Sequence, residues 1–400
     1  MITLGYDFYT DSEIKKPNGL NSQKITDKNK GTSNIFQLYL PPYLTDMFNR
    51  FGVDFKIDSV DNLSKTNLKN KWIYVLDCIG DPRGWLGVYN PKDQNSIKSI
   101  FSGISKQALK QVREDKAVIM VYQPMEGYPT NWLDNDIYEI LYKEIRKYKL
   151  NPKNILYVTG NWKLEKDFKK WKPKSKYNKL DDIIVHSFNN ERFLDFENKW
   201  YSAKIKSDKQ RRKYFLCFNR TMRGHRLYLL SLLHGKGLIS KGFVSCQKFD
   251  YRWMSGYLHN IGLGKNLRDA TKKHLKEFSK GSPYIVDVEE DAIFLDEKIW
   301  KPILNHHPFI FVGCHGSLKE IRKQGFKTFH PFIDESYDDQ KHHAKRMIMI
   351  SKEINRLCSY TMDEMESWYE QLIPRLEHNY QVLFERKTFD NFVGVLKNAI

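Results

Sequence analysis

Short apolar runs separated by stretches of helical spacing recur along this chain, and that alternation limits its fold more than any single motif. A strand buried on both faces reads as a continuous apolar run, whereas a strand with one wet face alternates. Trp72–Cys78 (WIYVLDC), Ala117–Tyr122 (AVIMVY), Ile155–Thr159 (ILYVT) and Asp182–Ser187 (DIIVHS) are of the first kind. Between them, Ile97–Glu114 and Leu133–Lys149 carry helical spacing, with Ile137, Ile140, Leu141 and Ile145 on one face. Strand, helix, strand in this order predicts a parallel sheet with right-handed crossovers.

The texture then changes. Residues 197–213 are charged and poor in core formers, the composition of a connection between domains. Beyond them the alternation restarts. Tyr214–Phe218, Phe243–Cys246, Tyr284–Val288 and Phe309–Gly313 read as strands, and Leu227–Leu233, Ile299–Leu304 and Leu318–Lys323 as helices. From Asp338 onward the pattern is almost wholly helical, with Met362–Arg386 the longest candidate. The expected organisation is an α/β domain over 1–200 with an exposed loop at 11–34, then a linker at 201–213. A second α/β domain follows over 214–360, with terminal helices at 361–400. Two doubly wound units facing each other across a cleft would hold a ligand beyond the carboxyl ends of their strands.

Composition narrows the chemistry only a little. An apolar fraction of 40% supports real cores and excludes a disordered chain. The 66 Lys and Arg against 48 Asp and Glu leave a net charge of +18, a field that attracts anions of any class. Five cysteines, Cys78, Cys217, Cys246, Cys314 and Cys358, have no zinc-knuckle spacing and suggest a reducing compartment. The N-terminus lacks a basic-then-apolar leader pattern, and no run approaches the roughly 20 apolar residues that span a bilayer. A soluble, cytoplasmic protein without a membrane span is the expectation.

Two segments carry the candidate site. In 214–233 (YFLCFNRTMRGHRLYLLSLL), a buried strand runs into Asn219, Arg220, Arg223 and Arg226, and an apolar helix follows. Backbone N–H groups at a helix start favour phosphate, and arginine adds planar bidentate donors suited to pyrophosphate oxygens. No glycine-rich phosphate loop is present there. In 292–313 (AIFLDEKIWKPILNHHPFIFVG), Glu297 and Lys298 open a helix that leads through Pro308 into a further apolar run. A carboxylate there can accept from ribose or sugar hydroxyls, while the ammonium faces phosphate.

The order of these parts resembles the α-1,3-fucosyltransferase family over roughly residues 213–330. It also resembles glycosyltransferases encoded by bacteria and large phages, through Phe326–Phe332 (FKTFHPF) and the Pro-Phe-Ile run. The resemblance implies a GT-B-like architecture of two Rossmann-like domains, and an inverting, metal-independent transfer from a nucleotide-sugar to a hydroxyl of a glycan or other acceptor. Arg223 or Arg226 would match the pyrophosphate arginine, Lys298 would hold phosphate, and Glu297 the ribose or sugar. His307–Gly313 would match the strand that follows. The sequence departs from the family in having Leu295-Asp296 before the Glu-Lys pair, and Val288-Glu289-Glu290-Asp291 in place of its Phe-Glu-Asn segment. The sugar stays open.

The catalytic base should come from the first domain. Glu126, in the loop after AVIMVY, is the candidate, with Asp77 and Asp81 as rivals. No metal and no cofactor beyond the donor substrate is expected. Asp134-Asn135-Asp136 sits at a helix start, where acids cap N–H groups, and His306-His307 and His342-His343 lack ligand partners at suitable spacing. Residues 162–179 place eight lysines among Trp162, Phe168, Trp171 and Tyr177. That composition suits a nucleic-acid strand or an exposed segment whose rings pack inward. The alternative reading of the whole chain is a basic nucleic-acid-binding protein, or a lectin-like or structural module on a degenerate glycosyltransferase fold.

Overall fold

The structure is a computed structural model with side chains, and it describes residues 1–7, 42–77, 100–101, 104–124, 131–132, 135–189, 212–219, 224–246, 292–293, 295 and 297–400. It divides into two compact units. Unit 1 comprises Met1–Phe196, Phe294–Asp296 and Arg386–Ile400, and unit 2 comprises Glu197–Ile293 and Glu297–Glu385.

Unit 1 is a six-stranded, all-parallel sheet between layers of helix. Its elements run β1 (Ile2–Tyr6), α1 (Pro42–Arg50), β2 (Phe55–Ser59), α2 (Val60–Lys65), β3 (Trp72–Asp77) and α3 (Lys106–Arg113). They continue as β4 (Ala117–Gln123), α4 (Ile137–Lys147), β5 (Ile155–Thr159), α5 (Leu164–Trp171) and β6 (Ile184–Ser187). The strand order is β2-β1-β3-β4-β5-β6. The chain therefore moves outward from β1 to β2, then crosses to β3 on the other side of β1.

The central strands show why the apolar runs are continuous. Along β4, Ala117, Ile119 and Val121 enter one core, while Val118, Met120 and Tyr122 enter the other. Along β3, Trp72, Tyr74 and Leu76 face the first core and Ile73 and Val75 the second. A period of two thus sends every residue into apolar surroundings on a two-faced sheet. The fit is tight at Gly5, where a Cβ would overlap the Trp72 ring. The second core is closed by α11 (Lys387–Ala399), whose Phe389, Phe392 and Leu396 are buried against Ile2, Leu4 and Tyr122 among others. Phe392 stacks on Phe188, ring centroids 4.2 Å apart.

Local chemistry sets the helix starts. Ser105 accepts from the Ala108 N–H at the head of α3, and Asp136 accepts from the N–H groups of Tyr138 (2.8 Å) and Glu139 (3.3 Å) at the head of α4. Asp136 is therefore a cap, and its partial burial raises its carboxyl above the ordinary range. The lysine-rich segment after β5 turns its rings inward. Phe168 and Tyr177 are buried, and Trp171 packs 5.2 Å from the Tyr138 ring.

Unit 2 contains a parallel strand–helix–strand element. β7 (Phe215–Asn219) pairs in register with β8 (Gly242–Cys246), and α6 (Gly224–Gly235) connects them. The remaining described elements are α7 (Glu297–Leu304), α8 (Ser317–Lys323), α9 (His343–Leu357) and α10 (Met362–Leu383). α7 packs on α10, and α6 on α9. At the head of α10, Thr361 and Glu364 form a reciprocal capping box.

One expected strand is corrected. Phe309–Gly313 has no ladder partner among the described residues. The Phe311 N–H donates to the Tyr337 hydroxyl (3.1 Å), and Phe309 meets Phe329 edge to face at 5.0 Å. An apolar run between Pro308 and Gly313 satisfies its needs equally well by packing under helix α10. The expected strand Tyr284–Val288 lies outside the described residues.

Candidate functional site

In open parallel sheets ligands lie beyond the carboxyl ends of the strands, at the point where strand order reverses. In unit 1 that point lies between β1 and β3. Asp7 stands directly after β1, and its Oδ2 accepts from the Tyr74 hydroxyl (2.8 Å) and from the Ser105 N–H (2.9 Å) that opens α3. Burial, reinforced by the Asp7 charge, pushes the Tyr74 phenol far above its ordinary range, so it remains a proton donor to Asp7 at every working pH. Asp7 is thereby fixed between a strand end and a helix start.

The apolar strands β4, β5 and β6 end in polar residues held in one row. Gln123 pairs with Thr159 and Thr159 with Ser187, and all three are buried. Asn161 follows, buried, with its carbonyl accepting from the Ser187 hydroxyl (2.8 Å) and its Oδ1 from the Lys163 N–H (2.9 Å). The Asn189 amide donates to the Leu295 carbonyl (2.8 Å), also within unit 1. One titratable pair joins this edge: Glu165 Oε1 lies 3.2 Å from His186 Nδ1 and accepts from the Ser187 N–H at 3.3 Å. The hydrogen bond to His186 holds the Glu165 carboxyl below its ordinary range. The imidazole is 13% exposed and parallel to Phe392, with no hydrogen-bond partner for its Nε2 among the described residues. This edge is thus a polar, preorganised rim on an apolar sheet.

None of the base candidates has a described side chain. Asp77 is the last residue of β3 with its side chain outside the described set, and Asp81 and Glu126 lie wholly outside it. Gln123 and Pro124 are described, so Glu126 follows the buried end of β4 by three residues. Asp134 also lies outside, and Asp136 is committed to its helix.

In unit 2 the arginine segment runs from the end of a strand to the start of a helix. Asn219 is the final residue of β7, opposite Cys246 on β8, and Arg226 is a half-buried residue in the first turn of α6. Arg220 and Arg223 belong to the connection between them, outside the described residues. The first turn of α6 carries no acid. Lys298 is exposed in the first turn of α7, and Glu297 is that helix's first residue, with its side chain outside the described set. Compared with protein-family models, curated proteins and solved structures, the chain matches none.

Cations in a first helical turn oppose the helix dipole, whose positive end is there. By the dipole alone, Arg226 and Lys298 are therefore unfavourably placed in the first turns of α6 and α7. Each adds positive charge to a helix end that already favours an anion. Among the described residues no group of three or more His, Cys, Asp or Glu is arranged to hold a metal ion, and no helix is long and apolar enough to cross a membrane.

Sequence reasoning missed Asp7, the Gln123–Thr159–Ser187 row and the Glu165–His186 pair. The available signal is small. Each apolar run ends on one polar letter, and only the register brings those letters together.

Proposed function

We propose that the chain is a glycosyltransferase that moves a sugar from a nucleotide-sugar to an acceptor hydroxyl, on two Rossmann-like domains of GT-B type. The observation that carries this reading is the β7–α6–β8 element. It is a parallel strand–helix–strand whose first strand ends at Asn219, whose connecting sequence carries Arg220 and Arg223, and whose first helical turn holds Arg226 without any acid. A pyrophosphate there would meet helix N–H groups and guanidinium forks together. The α7 start supplies Lys298 for a second phosphate contact and Glu297 for ribose or sugar hydroxyls.

In this reading the acceptor oxygen attacks the anomeric carbon as its proton passes to Glu126, with Asp77 or Asp81 as the alternative bases. The bond from the anomeric carbon to the β-phosphate oxygen breaks, and the nucleoside diphosphate leaves with the electron pair. Arg223, Arg226 and Lys298 face charge that grows in the transition state, which is where fixed cations lower a barrier. The reaction therefore runs in the presence of EDTA. Fucose is the default sugar by resemblance.

A nucleic-acid role has less support. The rings of the lysine-rich segment, Phe168, Trp171 and Tyr177, are packed against Tyr138 and Tyr142, where bases cannot stack on them.

A thermal-shift panel of UDP, GDP, CDP and their sugars tests the reading. A ligand that binds only the folded chain raises its melting temperature by mass action. One nucleotide-sugar should stand out and keep its effect at physiological salt. A panel that is flat, with shifts from duplex or single-stranded DNA that vanish with salt, would move the protein to the nucleic-acid class.

A further inference from the structure

Half of the chain's excess charge sits in about a tenth of its length. Residues 139–179 hold 13 Lys and Arg against 4 Asp and Glu, an excess of nine out of the total +18. Six of these cations fall on the outer surface of two neighbouring helices. α4 and α5 lie side by side on one face of the unit 1 sheet, where Tyr138 meets Phe168 at 5.1 Å and Tyr142 meets Trp171 at 5.7 Å. The inward positions take the rings, so the others turn outward. Lys143, Arg146 and Lys147 on α4 and Lys166, Lys169 and Lys170 on α5 are all exposed.

The acids of the segment leave these charges unbalanced. Glu139 is engaged by Lys176, and Glu165 by His186 and the Ser187 N–H. Glu144 is buried, which raises its carboxyl above the ordinary range, and Asp167 is half-buried. None of the six cations forms an ion pair among the described residues. The neighbouring α3 differs, because Lys110 and Lys116 both reach Glu114, at 3.6 and 3.1 Å. Repulsion among the six is offset by the helix dipoles, since Arg146, Lys147, Lys169 and Lys170 stand in last turns.

A plane of anions fits this face better than a strand of them. The rings that could stack on bases are packed inward, so a single-stranded nucleic acid would find charge without stacking. A duplex is read by an element that enters its groove, whereas these helices lie flat on a sheet. Five of the six cations are lysines, point charges on flexible stems without the planar fork that holds one phosphate in one geometry. Headgroups of a fluid bilayer move sideways and need no fixed register. Among the described residues no large apolar side chain of α4 or α5 is exposed, so contact with a bilayer is electrostatic and without an inserted anchor. Both helices return the chain to the start of the next parallel strand, which places their last turns toward the amino ends of the strands. A bilayer there leaves the polar rim at the carboxyl ends uncovered.

We propose that the α4–α5 face docks unit 1 on a bilayer rich in anionic phospholipid, as a peripheral contact that salt weakens. The docking is independent of the glycosyltransferase reading.

Co-sedimentation of the full chain with phosphatidylglycerol–phosphatidylcholine vesicles, and with vesicles of phosphatidylcholine alone, tests it. The chain should pellet with the first and stay in solution with the second, and its binding should fall as added salt shortens the Debye length below about 8 Å. Lys166→Gln, Lys169→Gln and Lys170→Gln together should weaken partitioning on the order of a hundredfold, at about fivefold per charge. Lys143→Gln, Arg146→Gln and Lys147→Gln together should do the same. Lys327→Gln, Lys345→Gln and Lys352→Gln remove equal charge from exposed positions of unit 2 and should change binding far less. All nine positions are exposed, so melting temperatures should stay close to the parent. No pelleting with anionic vesicles at physiological salt, an equal loss in all three triples, or capture of duplex DNA by this face while vesicles stay unbound would overturn the docking. Nucleotide-induced melting shifts should be the same in every triple, so a failure of the docking leaves the donor reading standing and the reverse.

Discussion

The β3–β4 pair of unit 1 and the β7–β8 pair of unit 2 are both parallel and both built from apolar runs, yet they are buried very differently. Ile119 and Val121 on β4 face one core and Met120 the other, all fully buried. On β7 and β8, Leu216 and Phe243 stand opposite each other in register and are 55% and 50% exposed. The same residue types therefore do different work. In unit 1 a two-faced sheet holds the fold together, whereas the described part of unit 2 draws on helix packing around Phe329, Tyr369, Leu372 and Leu376. The difference teaches that an apolar run marks a strand without revealing how much of it is covered.

The contrast is easiest to break with truncations. Ile119→Ala should lower unfolding free energy by about 3 kcal/mol, since it removes three carbons from a packed interior. Phe243→Ser, by comparison, should change it by about 0.5 kcal/mol or less, because surface positions carry little. Denaturant unfolding of both variants checks the pair. Equal losses would erase the distinction between the two sheets.

A second variant sharpens the claim that unit 1 is packed without slack. Gly5→Ala inserts a methyl into space that the Trp72 ring already fills. The ring or the strand must shift, at about 1–3 kcal/mol, as for other overpacked cores. A neutral or stabilising Gly5→Ala would mean that β1 and β3 have room to spare.

Legibility follows the same physics. The runs at β3, β4 and β5 can be read because both faces are buried, so no polar letter interrupts them, whereas β6 lies at the sheet edge, half-buried, and carries His186. β1 is hidden in the sequence, since ITLGY carries Thr3 and Gly5, and Gly5 makes sense only once Trp72 is seen beside it. β2, FKIDS at the sheet edge, alternates over too few residues to stand out. Phe309–Val312 misleads because burial against helices and burial in a sheet select the same side chains. At the candidate site, the setting of Asn219 and Arg226 at a strand end and a helix start is readable, because an apolar strand and an apolar helix bracket the segment. Asp7 is not, because its significance depends on Tyr74 and Ser105, residues distant in sequence.

The smallest expected effect concerns the rim of unit 1. The Glu165 carboxyl is lowered by its bond to His186, so the unfolded chain binds this proton more readily than the folded one. That stabilisation is present above the ordinary carboxylate range, near pH 4.3, and is lost as pH falls through the lower folded value. Glu165 is about half exposed, which keeps the contribution small. Replacing Glu165 by Gln should remove this small increment at neutral pH and change little in strong acid, so the acid limb of a stability–pH curve flattens. An equal loss at neutral and at acid pH would assign Glu165 a packing role instead.

The central claim is that the arginine turn and the α7 start hold a nucleoside diphosphate through fixed cations. Isothermal titration of the parent, Arg226→Ala and Lys298→Ala with the best nucleotide of the panel, in EDTA, tests it most directly. Each removed charge-assisted contact is worth about 1.5–3 kcal/mol, roughly a tenfold or greater loss of affinity per variant with melting temperature preserved. Unchanged affinity in both variants, or binding that appears only when a divalent metal is restored, would contradict the account.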